Sequence, residues 1–190
     1  MKANQTTHTP ARRKAAGAGF GVLALIVLAC TCGPLSQVQS LTSGDGTRQW
    51  AARATASSQY GADSWSASQA TGAPDTPECG DLTTAWATAA ANGVDWLRLE
   101  YDTPVTPKRI EIHQTYNPGA INQVEVTIPG GGVTHIVYQA SPAPVEQCPF
   151  VLIIPIDNLD VKVGEVIVYL DQTNHTGWNE IDAVELIGVP

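Results

Sequence analysis

Apolar and polar residues alternate with a period of two along most of the chain after residue 95. Such alternation turns every second side chain to the same face of a strand, and it is typical of sheets that bury one face. The uninterrupted apolar run FVLIIPI (150–156) instead predicts a strand covered on both faces. The alternating segments are WLRLEYD (96–102), KRIEIHQ (108–114), INQVEVTI (121–128), VTHIVYQ (133–139), EVIVYLD (165–171) and EIDAVELIGV (180–189).

Turn-forming residues separate these segments, as in DTP, NPG, PGGG and DQTN. Short strands joined by such turns predict an all-β, antiparallel sandwich or barrel. No window predicts an amphipathic helix longer than a couple of turns. Residues 81–92 form either one helical turn or a loop.

The segment TYNPGA interrupts the alternation between residues 115 and 120. Proline favours the second position of a type II turn and glycine the third, so we expect a turn that joins two strands. Tyr116 and Asn117 lie at this turn and are candidate ligand-binding residues, because rigid sandwiches present function on their loops.

Residues 57–90 show no strand pattern and are rich in Ser, Thr, Ala, Gly and Asp. Connections of this length are usually functional or held in place by specific contacts. The candidate contacts are Cys79, the indoles of Trp65 and Trp86, and a bound ion.

The N-terminus has the order of a secretory signal: a basic stretch ending in ARRK, then the uncharged, apolar AAGAGFGVLALIVLAC. The sequence VLAC (27–30) resembles a bacterial lipobox. We therefore predict a signal peptide over residues 1–29, lipidation at Cys30 and a tether over 30–48, with the product exported and facing outside or the periplasm. An uncleaved signal anchor and plain cleavage are the alternatives.

Charge is distributed unevenly, because residues 1–29 hold four of the ten basic residues and none of the eighteen acidic ones. The remainder carries six basic and eighteen acidic side chains, a net charge of −12 with His neutral. This argues against nucleic acid as a partner, since phosphate binding requires clustered Lys and Arg. It suits an exported domain, or one that binds cations.

Cys79 and Cys148 lie in the exported part, where oxidising conditions favour a disulfide between them. It would close a loop of about 70 residues and contribute about 4 kcal/mol in the chain-entropy treatment. Two free buried thiols are the alternative.

Trp65 and Trp178 are flanked by polar loop residues, which makes them candidates for platforms on which sugar rings stack. His175, near Trp178, could add a hydrogen bond or remain a solvated loop residue. Trp50, Trp86 and Trp96 are predicted to lie in the core. No nucleophile, zinc or phosphate-loop motif is present, so we predict a non-catalytic protein.

The order of the segments resembles the galactose-binding-like superfamily, which includes the discoidin or coagulation-factor type C domains and related carbohydrate-binding modules. The resemblance rests on the strand DWLRLEYD followed by PVTPKRIEI, on CGDLTTAW (79–86), and on the ending WNEIDAVELIG. QTYNPGAI resembles a pappalysin-like subgroup. The family implies a jelly-roll β-sandwich of about eight strands over residues 49–190, whose end loops bind sugars, lipid head groups or proteins.

The resemblance also implies a structural calcium ion near the first long loop and the last strand. Cys79 and Ala183 stand where relatives often have acidic ligands. The candidate ligands are Asp75, Asp81, Thr84, Glu180 and Asp182, because calcium prefers six to eight oxygen donors. No other cofactor is expected.

Two hypotheses of function follow. The first is a membrane-tethered, non-catalytic module that binds carbohydrate through loops around Trp65, Tyr116 and Trp178. The second is a structural or protein-interaction domain that docks an envelope protein, with no aromatic cleft and both indoles packed inward.

Overall fold

The computed structural model describes residues 46–175 and 177–190. Within them the chain forms eight strands and one short 3-10 turn, Ala67–Ala70. The strands are β1 (Thr47–Trp50), β2 (Arg53–Ala56), β3 (Val94–Tyr116), β4 (Ile121–Thr127), β5 (Thr134–Gln139), β6 (Phe150–Pro155), β7 (Val163–Asp171) and β8 (Glu180–Val189).

The strands form two antiparallel layers that share β3. In the first sheet the order is β1-β8-β3-β6, and in the second it is β2-β3-β7-β4-β5. The predicted all-β, eight-stranded jelly-roll sandwich is therefore confirmed.

β3 joins the two sheets because its two halves pair with different neighbours. Residues 94–105 pair with β7, whereas residues 106–116 pair with β8. The sequence pattern predicts two strands here, 96–102 and 108–114, separated by a turn, and this prediction is wrong. Pro104 and Pro107 lack an N–H, so the ladder shifts register beside them, yet their fixed φ is compatible with an extended chain that continues into the other sheet.

The core lies between the sheets and takes every second residue of β3. Leu97, Leu99 and Tyr101 are buried. Trp96 follows the opposite phase, so its prediction as a core residue is wrong: it is only partly buried, with the Arg98 guanidinium 5.5 Å above its ring. The predicted core position of Trp86 is confirmed, since it is fully buried.

β6 lies at an edge of the first sheet and pairs with β3. Ile153 in its centre is 57% exposed. The prediction that this apolar run is covered on both faces is wrong, because Ile154 faces the core whereas Ile153 and Pro155 on the other face are exposed to solvent.

The predicted signal peptide and the lipidation site Cys30 lie outside the described residues. The end of the predicted tether is structured: β1 begins at Thr47, and Arg48 Nε donates a 2.8 Å hydrogen bond to Oε1 of the buried Glu185. The folded domain thus begins at least two residues before the predicted boundary. The part of the chain that the structure describes contains no helix with the length and hydropathy needed to cross a membrane.

Cys79 and Cys148 form a disulfide, as predicted, with their Cα atoms 5.3 Å apart. It links the long loop after β2 to the segment before β6. Two surface connections are thereby tied to each other at one end of the sandwich.

We expect replacement of both cysteines, Cys79→Ser and Cys148→Ser, to lower the free energy of unfolding by about 4 kcal/mol, because the unfolded chain then regains the entropy of a loop of about 70 residues. Urea unfolding of the full chain measures this change. Chemical reduction of the unsubstituted chain is the control and should reproduce it. An unchanged unfolding midpoint would contradict the prediction.

Candidate functional site

The TYNPGA segment crosses between the two sheets rather than forming a hairpin. Tyr116 at the end of β3 pairs with Glu180 in the first sheet, whereas Ile121 at the start of β4 pairs with Leu170 in the second. Gly119 has φ +122°, which confirms the need for glycine predicted at this position. A side chain there would also collide with the carbonyl of Ala143, so the crossing packs tightly against residues 143–145.

Two buried polar residues that precede β8 hold this crossing in place. His175 Nε2 lies 3.0 Å from the carbonyl oxygen of Asn117, and Asn179 Nδ2 lies 3.1 Å from the same oxygen. A carbonyl only accepts, so His175 carries its proton on Nε2. His175 is 4% exposed and is therefore not a solvated loop residue. Its ring supports the backbone of Asn117, which has φ +44°.

Three aromatic rings form a small cavity beside this crossing. The ring centroids of Tyr60 and Trp65 are 5.4 Å apart and those of Tyr60 and Trp178 are 5.7 Å apart, both in edge-to-face geometry. Tyr60 is 57% exposed, and the two indoles are partly buried. We call this cavity of about 80 Å³ the aromatic pocket; its lining is Tyr60, Trp65, Asp81, Ala87, Trp178 and Glu180.

Backbone hydrogen bonds between loop segments fix the walls of the aromatic pocket. Tyr60 N donates to Ala87 O at 2.9 Å, Ala87 N donates to Trp65 O at 3.3 Å, and Trp65 N donates to Thr83 O at 3.2 Å. Trp86, next to Ala87, pairs with Ile181 of β8 as an isolated bridge. Trp65 itself has φ +50°, a left-handed conformation that costs free energy in a bulky residue and is typical of functional sites.

Two carboxyl groups form the polar side of the aromatic pocket. Glu180 is 1% exposed, and its Oε2 accepts a 3.2 Å hydrogen bond from Leu82 N. Burial, reinforced by the nearby Asp81 carboxylate, raises the pKa of Glu180 to about 8. The buried indole N–H of Trp65 lies near the Glu180 carboxyl group without forming a hydrogen bond of normal geometry. Its partial positive charge opposes part of the rise in the pKa of Glu180.

A second, wider hollow adjoins the aromatic pocket, with Trp178 as a shared wall. It has a volume of about 540 Å³ and is open to solvent. The Trp178 indole N–H donates to Thr88 O at 2.9 Å, which fixes the ring between the two cavities. We call this hollow the outer groove; its lining is Cys79, Tyr116, Asn117, Pro118, Val145, Cys148, Gly177 and Trp178.

The model of the family described as Pappalysin-1, SD scarf domain, C-terminal, matches residues 39–190. This chain belongs to that family. None of the curated proteins compared with it matches significantly.

Solved structures similar to this scarf domain are small β-domains of the predicted superfamily. Chitosan-binding module 1 of a chitosanase/glucanase from Paenibacillus sp. IK-5 superimposes with a TM-score of 0.53 and 19% identity over 72% of this chain and 93% of that one. An F5/8 type C domain from Bacteroides fragilis superimposes with a TM-score of 0.55 and 16% identity, over 77% of this chain and 98% of that domain. The family 32 CBM from C. perfringens NanJ, in complex with galactose, superimposes with a TM-score of 0.50 and 20% identity, over 74% of this chain and 99% of that domain. The galactose-binding-like fold is thereby confirmed.

Four of the five predicted ligand-binding residues of the scarf domain line the two cavities: Trp65 and Trp178 in the aromatic pocket, and Tyr116, Asn117 and Trp178 in the outer groove. His175 lines neither cavity. The sequence does not indicate Tyr60 as a site residue, because the hydrogen bond from its backbone N–H to Ala87 O, which places it at the pocket, is a tertiary contact.

The predicted calcium ligands lie in two separate groups. Asp182 accepts from the backbone N–H groups of Asp75 and Thr76 at 3.4 and 3.3 Å, whereas Asp81 faces Glu180. Thr84 Oγ1 contacts Thr76 Oγ1 at 2.5 Å. Within residues 46–175 and 177–190, no three acidic, His or Cys side chains come together as a metal site. The five donors do not converge in one place, and calcium stays a prediction.

We expect Glu180→Gln to remove a pH dependence of stability. Because the folded pKa of about 8 exceeds the ordinary value of 4.5, the native state holds a proton that the unfolded chain loses. Glu180 therefore makes stability fall as pH rises between these values, and the amide should be more stable than the parent at the alkaline end. Urea unfolding from pH 5 to 8.5 measures this, with the exposed Glu146→Gln as the matched control. If the free energy of unfolding changes with pH in the same way in the parent and in Glu180→Gln, the prediction is contradicted.

Proposed function

We propose that this scarf domain is a non-catalytic, surface-tethered module that binds carbohydrate at the aromatic pocket and outer groove. The observation that carries the proposal is the placement of Trp178 as a common wall of two adjoining cavities, beside Tyr60, Trp65 and Tyr116. Aromatic faces that flank polar groups are suited to sugar rings, whose C–H faces stack while hydroxyl groups bond at the edge.

The solved structures support the ligand class. The Paenibacillus domain is described as chitosan-binding, and the C. perfringens domain is in complex with galactose. Both have the fold of this chain, and in both the ligand is a saccharide.

The alternative of an envelope-docking domain with no small ligand expects both indoles packed inward and no aromatic cleft. Trp65 and Trp178 are instead partly exposed and form cavity walls. This observation favours the carbohydrate hypothesis.

The carboxyl pair of the pocket does not have the arrangement of a glycosidase. Glu180 and Asp81 are close enough to hydrogen-bond to each other, whereas the paired carboxyls of retaining glycosidases stand about 5 Å apart and those of inverting enzymes farther. This contact argues against glycosidase chemistry at this pair.

We expect Trp65→Ala and Trp178→Ala each to weaken glycan binding by about tenfold or more, because each removes a stacking face. A glycan array identifies the ligand, and titration calorimetry of the full chain in detergent measures the affinity. Trp96→Ala is the matched control, since that indole is also partly buried but lies on the outer side of β3. Binding that survives both pocket substitutions would remove these indoles from the proposal.

The tether of the proposed module is the lipid at Cys30, followed by residues 31–46. The basic stretch, the apolar stretch and VLAC (27–30) support it. We expect Cys30→Ala to abolish incorporation of labelled fatty acid and to stop signal cleavage, whereas Cys32→Ala should leave the cleavage unchanged. Labelling that persists in Cys30→Ala would place the lipid elsewhere.

A further inference from the structure

The size of the aromatic pocket limits what it can hold. Its volume of about 80 Å³ is far below the 300–1,000 Å³ that is usual for whole small ligands. A sugar ring therefore has room in the outer groove, of about 540 Å³, but not in the aromatic pocket. The aromatic pocket admits one substituent of a ligand whose main body lies outside.

The electrostatic character of the walls selects the charge of that substituent. Tyr60, Trp65 and Trp178 line the pocket with aromatic rings, a class of side chain whose electron-rich faces attract cations. Asp81 and Glu180 add carboxyl oxygens, and none of the six lining residues is basic. An anionic substituent would be repelled by the Asp81 carboxylate, whereas an ammonium group would find aromatic rings and carboxyl oxygens as acceptors.

A backbone N–H and an indole N–H lie beside the carboxyl group of Glu180. Leu82 N donates to Oε2, and the indole N–H of Trp65 is buried without another partner. Backbone hydrogen bonds to residues 83 and 87 hold the walls of the aromatic pocket in place. The walls therefore need little rearrangement to bind an ammonium group.

We propose that the aromatic pocket binds an alkylammonium group, presented as the free amino group of an amino sugar whose ring contacts Trp178, the residue that borders both cavities. This inference rests on the proposed function and narrows its ligand class to glycans with unacetylated amino groups. Cation–π contact and a charge-assisted hydrogen bond together favour the charged substituent over a neutral one by about tenfold or more.

The first experiment compares two sugars that differ in the pocket substituent. Glucosamine oligomers and N-acetylglucosamine oligomers are titrated into the full chain in detergent by calorimetry at constant ionic strength. We expect the glucosamine oligomers to bind about tenfold more tightly or better. Asp81→Asn and Tyr60→Ala should erase this preference, and Asp160→Asn, an exposed carboxylate outside both linings, should keep it.

The second experiment tests the aromatic pocket without a sugar. Choline and its neutral isostere 3,3-dimethylbutan-1-ol have nearly the same shape and differ in charge, and quenching of tryptophan fluorescence reports their binding. We expect choline alone to bind, and to lose affinity in Tyr60→Ala. Tyr60 is exposed, so thermal unfolding should show this variant folded like the parent.

The two experiments separate the failure of this inference from failure of the proposed function. Glycan binding with no preference for free amines, and no effect of Asp81→Asn, overturns the inference and leaves the proposed function standing. Choline binding without binding of any glycan overturns the proposed function and leaves a cation pocket, with a methylated ammonium as its source. If neither probe binds, both are overturned.

Discussion

The fold depends on the pairing of one strand in two sheets. β3 is hydrogen-bonded to β7 over its first half and to β8 over its second half. The two layers are therefore connected by one continuous strand of 23 residues. Both layers are therefore aligned by one chain segment, and the loops at the end of β3 have a fixed relation to the start of β8. The outer groove is formed where those two ends meet, at Tyr116 and Trp178.

The beginning of β8 concentrates polar groups that a core does not usually contain. Asn179, Glu180 and Asp182 are all nearly fully buried. Each bonds to a loop: Asn179 to the crossing at Tyr116 and Asn117, Glu180 to Leu82, and Asp182 to residues 75 and 76. Buried polar groups are costly unless they are bonded, so these contacts bind the loops to the strand while limiting the positions that the loops can take.

A two-residue period is sufficient to predict β4, β5, β7, β8 and the two halves of β3, because burial of one sheet face imposes it directly, as at Leu97 and Leu99, but it does not predict β1 or β2. The same pattern does not distinguish a proline that ends a strand from one that shifts its register. The sequence therefore predicts two strands separated at Pro104 and Pro107, where the structure has the single strand β3. Nor does a continuous apolar run show that both faces of its strand are covered, since Ile153 of β6 is exposed. The indoles of the site could be identified from their polar flanks. Tyr60 and the pairing of Asp81 with Glu180 could not be identified from the sequence. Both lie beside the bridge between Trp86 and Ile181, which brings distant parts of the chain together.

The aromatic pocket is a place where local preference gives way to tertiary structure. Trp65 adopts a left-handed backbone, and its indole N–H lacks a hydrogen-bond partner although it is buried. Glu180 is held away from water beside another carboxylate. Each of these costs stability, and the disulfide and the backbone bonds around residues 60, 65 and 87 offset the cost. Backbone strain and a buried acid in one cavity are typical of functional sites, where a ligand supplies contacts that the fold leaves unmade.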